Sequence, residues 1–257
     1  MKKERKQLYV SILLALAALV SVVTVSVAWF TIADYTKVYS MGLEVTSGTN
    51  LRFDLVAHDN FEEYVKTLSF AKIADSIRKR DGFDPRTKGL EPVTTKDYVT
   101  FTYKDGSISD RQKGDYLEFT LHFFATEEML VHLTSAGMDH RTKDGTKVES
   151  SVETLPQCMR ISFTVDGNTY VYHPGLKDSL KKDGKVRTFG LPGEEDMVLN
   201  DNNSMFWLKK MEDKPVVVRI WLEGSDPACT DELRNADYRI QLRFIGTDRE
   251  HHILDGR

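Results

Sequence analysis

The chain has 257 residues, 40% of them hydrophobic, with 35 Lys and Arg against 39 Asp and Glu and a formal net charge of −4. That is ample apolar material for a core. The slight acid excess, with no Lys/Arg stripe interleaved with aromatics, disfavours nucleic acid as a partner.

The first element is a basic cluster, Lys2-Lys3-Glu4-Arg5-Lys6, followed by an uncharged run from Leu8 to Ala33. A positive start before such a run stays on the cytoplasmic side while the apolar segment enters the membrane. As a helix, Leu8 to Phe30 would extend about 34 Å, enough to cross a hydrocarbon core of about 30 Å. Ser26-Val27-Ala28 places small residues where a signal peptidase needs them. Two outcomes stand: residues 1–30 are a signal peptide cleaved after Ala28, or residues 8–30 remain as a membrane anchor with Trp29 at the outer interface. Either way residues 31–257 are expected on the extracellular side of the cell membrane, anchored or secreted. Without Met1 to Ala28 the exported part keeps 31 basic and 38 acidic residues, a net of about −7.

Alternation of polar and apolar residues predicts strands at Lys37–Val45 and Asn50–Leu55. Phe61, Tyr64, Val65, Leu68, Ile73 and Ile77 then fall near helical spacing, which predicts a short helix or two broken ones before the stop at Asp81-Gly82-Phe83-Asp84-Pro85. Tyr98–Tyr103 reads as a strand ending at the Asp105-Gly106 turn. After Lys113-Gly114-Asp115, the segment Tyr116–Phe123 puts Leu117, Phe119, Leu121 and Phe123 on one face. Met129–Leu133 is a further strand. Asp139–Ser151 reads as an exposed loop.

Met159–Val165 and Thr169–Tyr172 flank Asp166-Gly167-Asn168, a hairpin with its turn residues in place. Leu176–Asn203 is polar, with too little pattern to assign. Val216–Glu223 and Tyr238–Phe244 alternate and read as sheet partners. Eight to ten strands with one apolar face each must stack two sheets to close a core. The expected fold is therefore a mainly β, jelly-roll-like antiparallel sandwich with a short helical insert, in one domain over 31–257.

Chemistry-bearing patterns are sparse. The seven histidines include no His-Glu-x-x-His helix, and there is no nucleophile elbow, phosphate loop or Cys-x-x-Cys. No catalytic residue, cofactor or metal site is assigned, and an enzyme is not expected. His122 reads as a solvated cross-strand residue. Asp201-Asn202-Asn203 and Asp226, Asp231 and Glu232 lack the spacing of a calcium loop and read as turn residues. Cys158 and Cys229 are the two cysteines. In an oxidising compartment they permit one disulfide closing a loop of about 72 residues, worth about 4 kcal/mol in the chain-entropy model; two unpaired thiols are the alternative. Trp221 falls out of phase with Val218 and Ile220, so it either covers a second sheet face or is a surface aromatic available for binding.

Ala28-Trp29-Phe30-Thr31 after the apolar run, then Met41-Gly42-Leu43-Glu44-Val45, resembles exported proteins of Gram-positive Firmicutes related to TasA and camelysin. Lys113-Gly114-Asp115-Tyr116-Leu117-Glu118-Phe119 resembles that family's Gly-Asp turn and following strand. Val218–Gly224, with the Cys229 loop and closing strand, is similar to segments of Clostridia-type exported proteins of the same layout. The resemblance implies a jelly roll at the cell surface or in the biofilm matrix, with self-assembly when the N-terminal strand of one subunit completes a neighbour's sheet. It covers about a third of the chain, and the membrane segment, the Phe61–Arg80 insert and the two cysteines depart from the TasA pattern. The expected function is thus an exported structural protein assembling through its N-terminal strand, with the membrane and other surface proteins as further partners. A surface-displayed carbohydrate- or protein-binding module is the alternative, since loops carry recognition on such scaffolds.

Overall fold

Period-two alternation dominates the chain and yields two facing sheets. The computed structural model describes residues 39–47, 49–137, 145–233 and 235–254. The signal or anchor expectation for residues 1–30, including cleavage after Ala28, lies outside them. Among the described residues no helix is long and apolar enough to cross a membrane.

The first sheet contains β1 (Tyr39–Thr46), β3 (Thr67–Leu68), β8 (Met129–Leu133), β9 (Lys147–Ser150), β14 (Ser204–Leu208) and β16 (Asp237–Thr247). Its order is β14-β8-β16-β1-β3, with β9 also on β16. The second sheet contains β2 (Leu51–Asp54), β7 (Leu117–Ala125), β10 (Met159–Val165), β11 (Asn168–Tyr172), β12 (Leu180–Asp183), β13 (Val186–Phe189) and β15 (Lys214–Glu223). These run in the order β12-β13-β11-β10-β15-β7-β2. Near its end β15 also pairs β4 (Pro92–Thr95), which continues into β5 (Phe101–Thr102) and β6 (Ile108–Ser109).

The alternation predicted for β7 is realised: Leu117, Phe119, Leu121 and Phe123 are buried, while Glu118, Thr120 and His122 on the other face are partly open. Val216, Val218, Ile220 and Leu222 of β15, and Ile161 and Phe163 of β10, join the same core. Ile240, Leu242 and Phe244 of β16 and Met129, Val131 and Leu133 of β8 meet them from the first sheet. Aromatic rings span the gap: Phe123 contacts Phe244 at 5.1 Å and Phe206 at 5.3 Å, and Phe163 contacts Phe244 at 5.5 Å, all edge to face. The fold is mainly β and sandwich-like. Residues Lys37–Arg257 form one compact unit.

The expected helical insert is smaller than the spacing predicts. Phe61–Glu63 is a 3-10 turn and Thr67–Leu68 is β3, leaving α1 at Phe70–Asp81. Ile73, Ala74 and Ile77 form its buried stripe, Arg78, Lys79 and Arg80 complement the C-terminal dipole, and Gly82 caps it at φ +85°. A short second helix, α2, spans Leu155–Cys158.

The sheets are not purely antiparallel as expected. β1 runs parallel to β16, β13 to β11, and β4 to β15. Each parallel pair joins strands that are not successive in the chain, a long-range choice that local pattern cannot register. Two segments read as loop also hold strands. Lys147–Ser150 pairs Gln241–Tyr238, because β16 is longer than β8 and its remaining backbone needs a partner. Leu180–Asp183 and Val186–Phe189 form a hairpin through Gly184 at φ +58°. Conversely, Tyr98–Tyr103 keeps only two strand residues, since Asp97 draws the amides of Val99 and Thr100 into a side-chain-capped turn.

Candidate assembly edge and side-chain clusters

The position of β1 is set from its C-terminal end. The Ser47 amide donates to the Lys66 carbonyl at 3.0 Å, and the Ser47 hydroxyl donates to the Leu51 carbonyl at 2.6 Å. This buried serine turns the chain from the first sheet to the second. Upstream, β1 lies along β16 from Tyr39↔Asp237 to Thr46↔Arg243, with an irregularity between Ser40 and Gly42. On its other side it pairs β3 only at Val45↔Leu68 and Thr46↔Thr67. No strand among the described residues pairs the outer edge from Tyr39 to Glu44. Part of the segment expected to be free for a neighbour, Thr31–Val45, therefore sits in its own sheet; residues 31–38 lie outside the described residues.

Trp221 is not a surface aromatic: it is 1% exposed. It does face away from the main core, as its phase requires, but β4, β5 and β6 fold over that face. Phe101 meets it at 5.4 Å and Tyr98 at 6.3 Å, and Phe101 stacks on Tyr116 at 4.1 Å. Burial of apolar area on this second face explains why three very short strands hold their place. Tyr98 adopts φ +60°, an uncommon conformation for a bulky residue.

Beneath that flap, the Gly-Asp turn gains a physical account. Gly114 ends the turn Arg111–Lys113 at φ +75°, and a Cβ there would come within 2.7 Å of the Phe83 ring. Asp115, 1% exposed, accepts from the Tyr103 hydroxyl at 2.5 Å, from the Ser109 hydroxyl at 2.8 Å and from Lys88 Nζ at 3.3 Å. Burial, then this carboxylate, push the Tyr103 phenol up to about 12. Nearby, Glu118 accepts from Arg219 Nε at 2.7 Å and from Arg111 Nη1 at 3.0 Å.

His122 is less solvated than expected. Its Nδ1 lies 2.8 Å from Asp213 Oδ2, and Asp213 Oδ1 accepts from the Tyr64 hydroxyl at 2.8 Å. His58 adjoins, 3.2 Å from Asp54 and 3.3 Å from Glu63. Burial is the first cause raising the Tyr64 phenol to about 12. The cluster positions a phenol, a carboxylate and an imidazole, with no Ser, Thr or Cys side chain among the described residues hydrogen-bonded to them. The registers Asp54↔His122 and Lys214↔Phe123 and the bridge Phe53↔Val65 assemble it.

His132, the most deeply buried titratable group of the first sheet, sits between Asn203 Oδ1 at 2.8 Å and Thr247 Oγ1 at 2.9 Å. Burial holds its imidazole down at about 4. The Asp201-Asn202-Asn203 segment closes side-chain turns: Asn203 Oδ1 accepts from the Asn200 amide and Asn200 Oδ1 from the Asn202 amide. Asp226 likewise accepts from the Ala228 amide and pairs with Arg160. Among the described residues no group of three His, Cys, Asp or Glu is arranged to hold a metal ion.

Cys158 and Cys229, 71 positions apart in the chain, are brought together as unbonded thiols, Cys158 buried and Cys229 partly exposed. Comparison of the chain with protein-family models, curated proteins and solved structures finds no match.

Proposed function

We propose that this chain is an exported, non-enzymatic structural protein of the cell surface or extracellular matrix, a jelly-roll-type sandwich that assembles through its first strand. The basic cluster and apolar run support a position on the extracellular side of the membrane, anchored by residues 8–30 or released after Ala28. One observation carries the assembly reading: β1 is held on one side by a parallel ladder to β16, while among the described residues its outer edge is paired only at Val45 and Thr46. A parallel pair is slightly weaker per residue than an antiparallel one, and an unpaired edge presents backbone donors and acceptors to another strand. A neighbour's strand can add there by main-chain hydrogen bonds alone. The binding-module alternative loses its motivating aromatic with the burial of Trp221.

Light scattering on the chain from Trp29 onward tests this reading, with and without a peptide of residues 39–46. Mass should rise with concentration, and the peptide should suppress the rise by occupying the edge. Monomers at every concentration overturn it.

A further inference from the structure

The two cysteines occupy two of the connections that run between the sheets. Cys158 ends α2, on the path from β9 in the first sheet to β10 in the second. Cys229 lies on the return path from β15 in the second sheet to β16 in the first. An ion pair holds these paths together: Arg160 Nη2 meets Asp226 Oδ2 at 2.5 Å. Through Nη1 the same guanidinium donates to the carbonyls of Gln157 at 2.6 Å and Met159 at 2.9 Å, the residues either side of Cys158. The Asp226 carbonyl in turn accepts from the Cys229 amide at 2.9 Å. The Arg160–Asp226 pair is thus a clamp that aligns both cysteine backbones.

We propose that Cys158 and Cys229 are an oxidisable pair, in which the partly exposed Cys229 reacts first and the buried Cys158 resolves, closing a disulfide that staples the two inter-sheet connections. With a small-molecule disulfide as oxidant, the Cys229 thiolate attacks one sulfur, forming a mixed disulfide and expelling one thiolate. Cys158 gives up its proton to that thiolate and attacks Cys229 Sγ, expelling a second thiolate, which takes up the proton that Cys229 had released to solvent. The protein loses two electrons and two protons, and the reagent is reduced to two thiols.

The asymmetry of the pair suits these roles. Cys158 is fully buried and donates to the Leu155 carbonyl at 3.3 Å. The neighbouring Cys158 holds the Cys229 thiol below its usual range, and the positive charge of Arg160 acts in the same direction against burial, Asp226 and Glu223. The neighbouring Cys229, then burial, push the Cys158 thiol up. Nucleophilic thiolate character therefore belongs to the accessible sulfur.

The test exposes the folded full-length chain to oxidised glutathione, then maps thiols by alkylation and peptide mass spectrometry. Wild type is expected to lose the mass of two hydrogens, yield a linked Cys158–Cys229 peptide and show a thermal midpoint several degrees higher. Cys158→Ser should trap glutathione on Cys229, and Cys229→Ser should take up none until denaturant is added. Arg160→Gln should slow the first step several-fold, with Arg160→Lys intermediate. Two alkylatable thiols persisting in oxidised wild type, or glutathione trapped first on Cys158, overturns the assignment. The wild-type arm decides even if a variant fails to fold.

Discussion

The indole of Trp221 meets the ring of Phe101 edge-on, 5.4 Å between centroids, on the side of the second sheet that faces away from the main core. This contact converts a sheet face that would otherwise be wet into a second apolar layer with Val93, Tyr116 and Val171. The chain from Pro92 to Ser109 is held by that layer more than by its own ladders, which are two residue pairs long. Trp221→Ala should therefore cost about 3–5 kcal/mol and loosen the flap. Urea unfolding measures the first, and proteolysis between Lys96 and Lys104 the second. An unchanged midpoint would show that the flap does not depend on the indole.

His132 couples stability to pH. Its folded value of about 4 lies below the ordinary 6.5, because burial opposes the charge. Above pH 6.5 the imidazole is neutral in both states and its contribution is complete. Between pH 6.5 and 4 the unfolded chain binds a proton that the folded chain refuses, so stability falls as pH drops, by about 3 kcal/mol in all. Burial also holds His173 near 4, which adds to the same window. Unfolding free energies at several pH values should show this slope, flatter in His132→Asn.

Asp115 gathers Lys88, Tyr103 and Ser109 under the flap. Asp115→Ala leaves two hydroxyls without this acceptor and Lys88 with Glu91 in place of two carboxylates, and should destabilise by about 3 kcal/mol. Asp115→Asn should cost less and let the Tyr103 phenol titrate closer to 10, which ultraviolet titration reads. No movement of that tyrosine would mean that burial alone sets its value.

Glu118 and Arg219 make a mostly buried pair at 2.7 Å. Removing the acid alone, in Glu118→Ala, strands the guanidinium on the covered face and should cost about 3–5 kcal/mol. Replacing both, as Glu118→Leu with Arg219→Met, should recover most of the loss, because neither charge is then desolvated. Denaturation of Glu118→Leu, of Arg219→Met and of the double variant gives the coupling directly; simple additivity would contradict it.

Much of the fold was legible locally. Alternation in Leu117–Phe123, Met159–Val165 and Val216–Leu222 predicts both the strands and the buried face, because a residue on a strand has only two sides to choose between. The helix stop at Gly82 and the turn at Asp166-Gly167 were equally plain, since positive φ favours such residues. Lys147–Ser150 and Leu180–Phe189 were not legible: they are polar edge segments held by the hydrogen-bonding demand of a neighbour. The Trp221 position fell between, its phase being right and its covering invisible.

The candidate sites divide in the same way. Composition and pattern by themselves determined a mainly β chain in two sheets and two cysteines spaced widely enough to permit a long cross-link. Pairing of residues far apart in sequence is what the tertiary structure alone decided. It set β1 beside β16, joined His122 to Asp213 and Tyr64, closed a flap over Trp221, and laid Cys158 against Cys229 through the Arg160–Asp226 clamp. Strand propensity and hydrophobic period act within a few residues, whereas register and sheet order are fixed by which buried surfaces and unpaired backbone groups find each other across the whole chain.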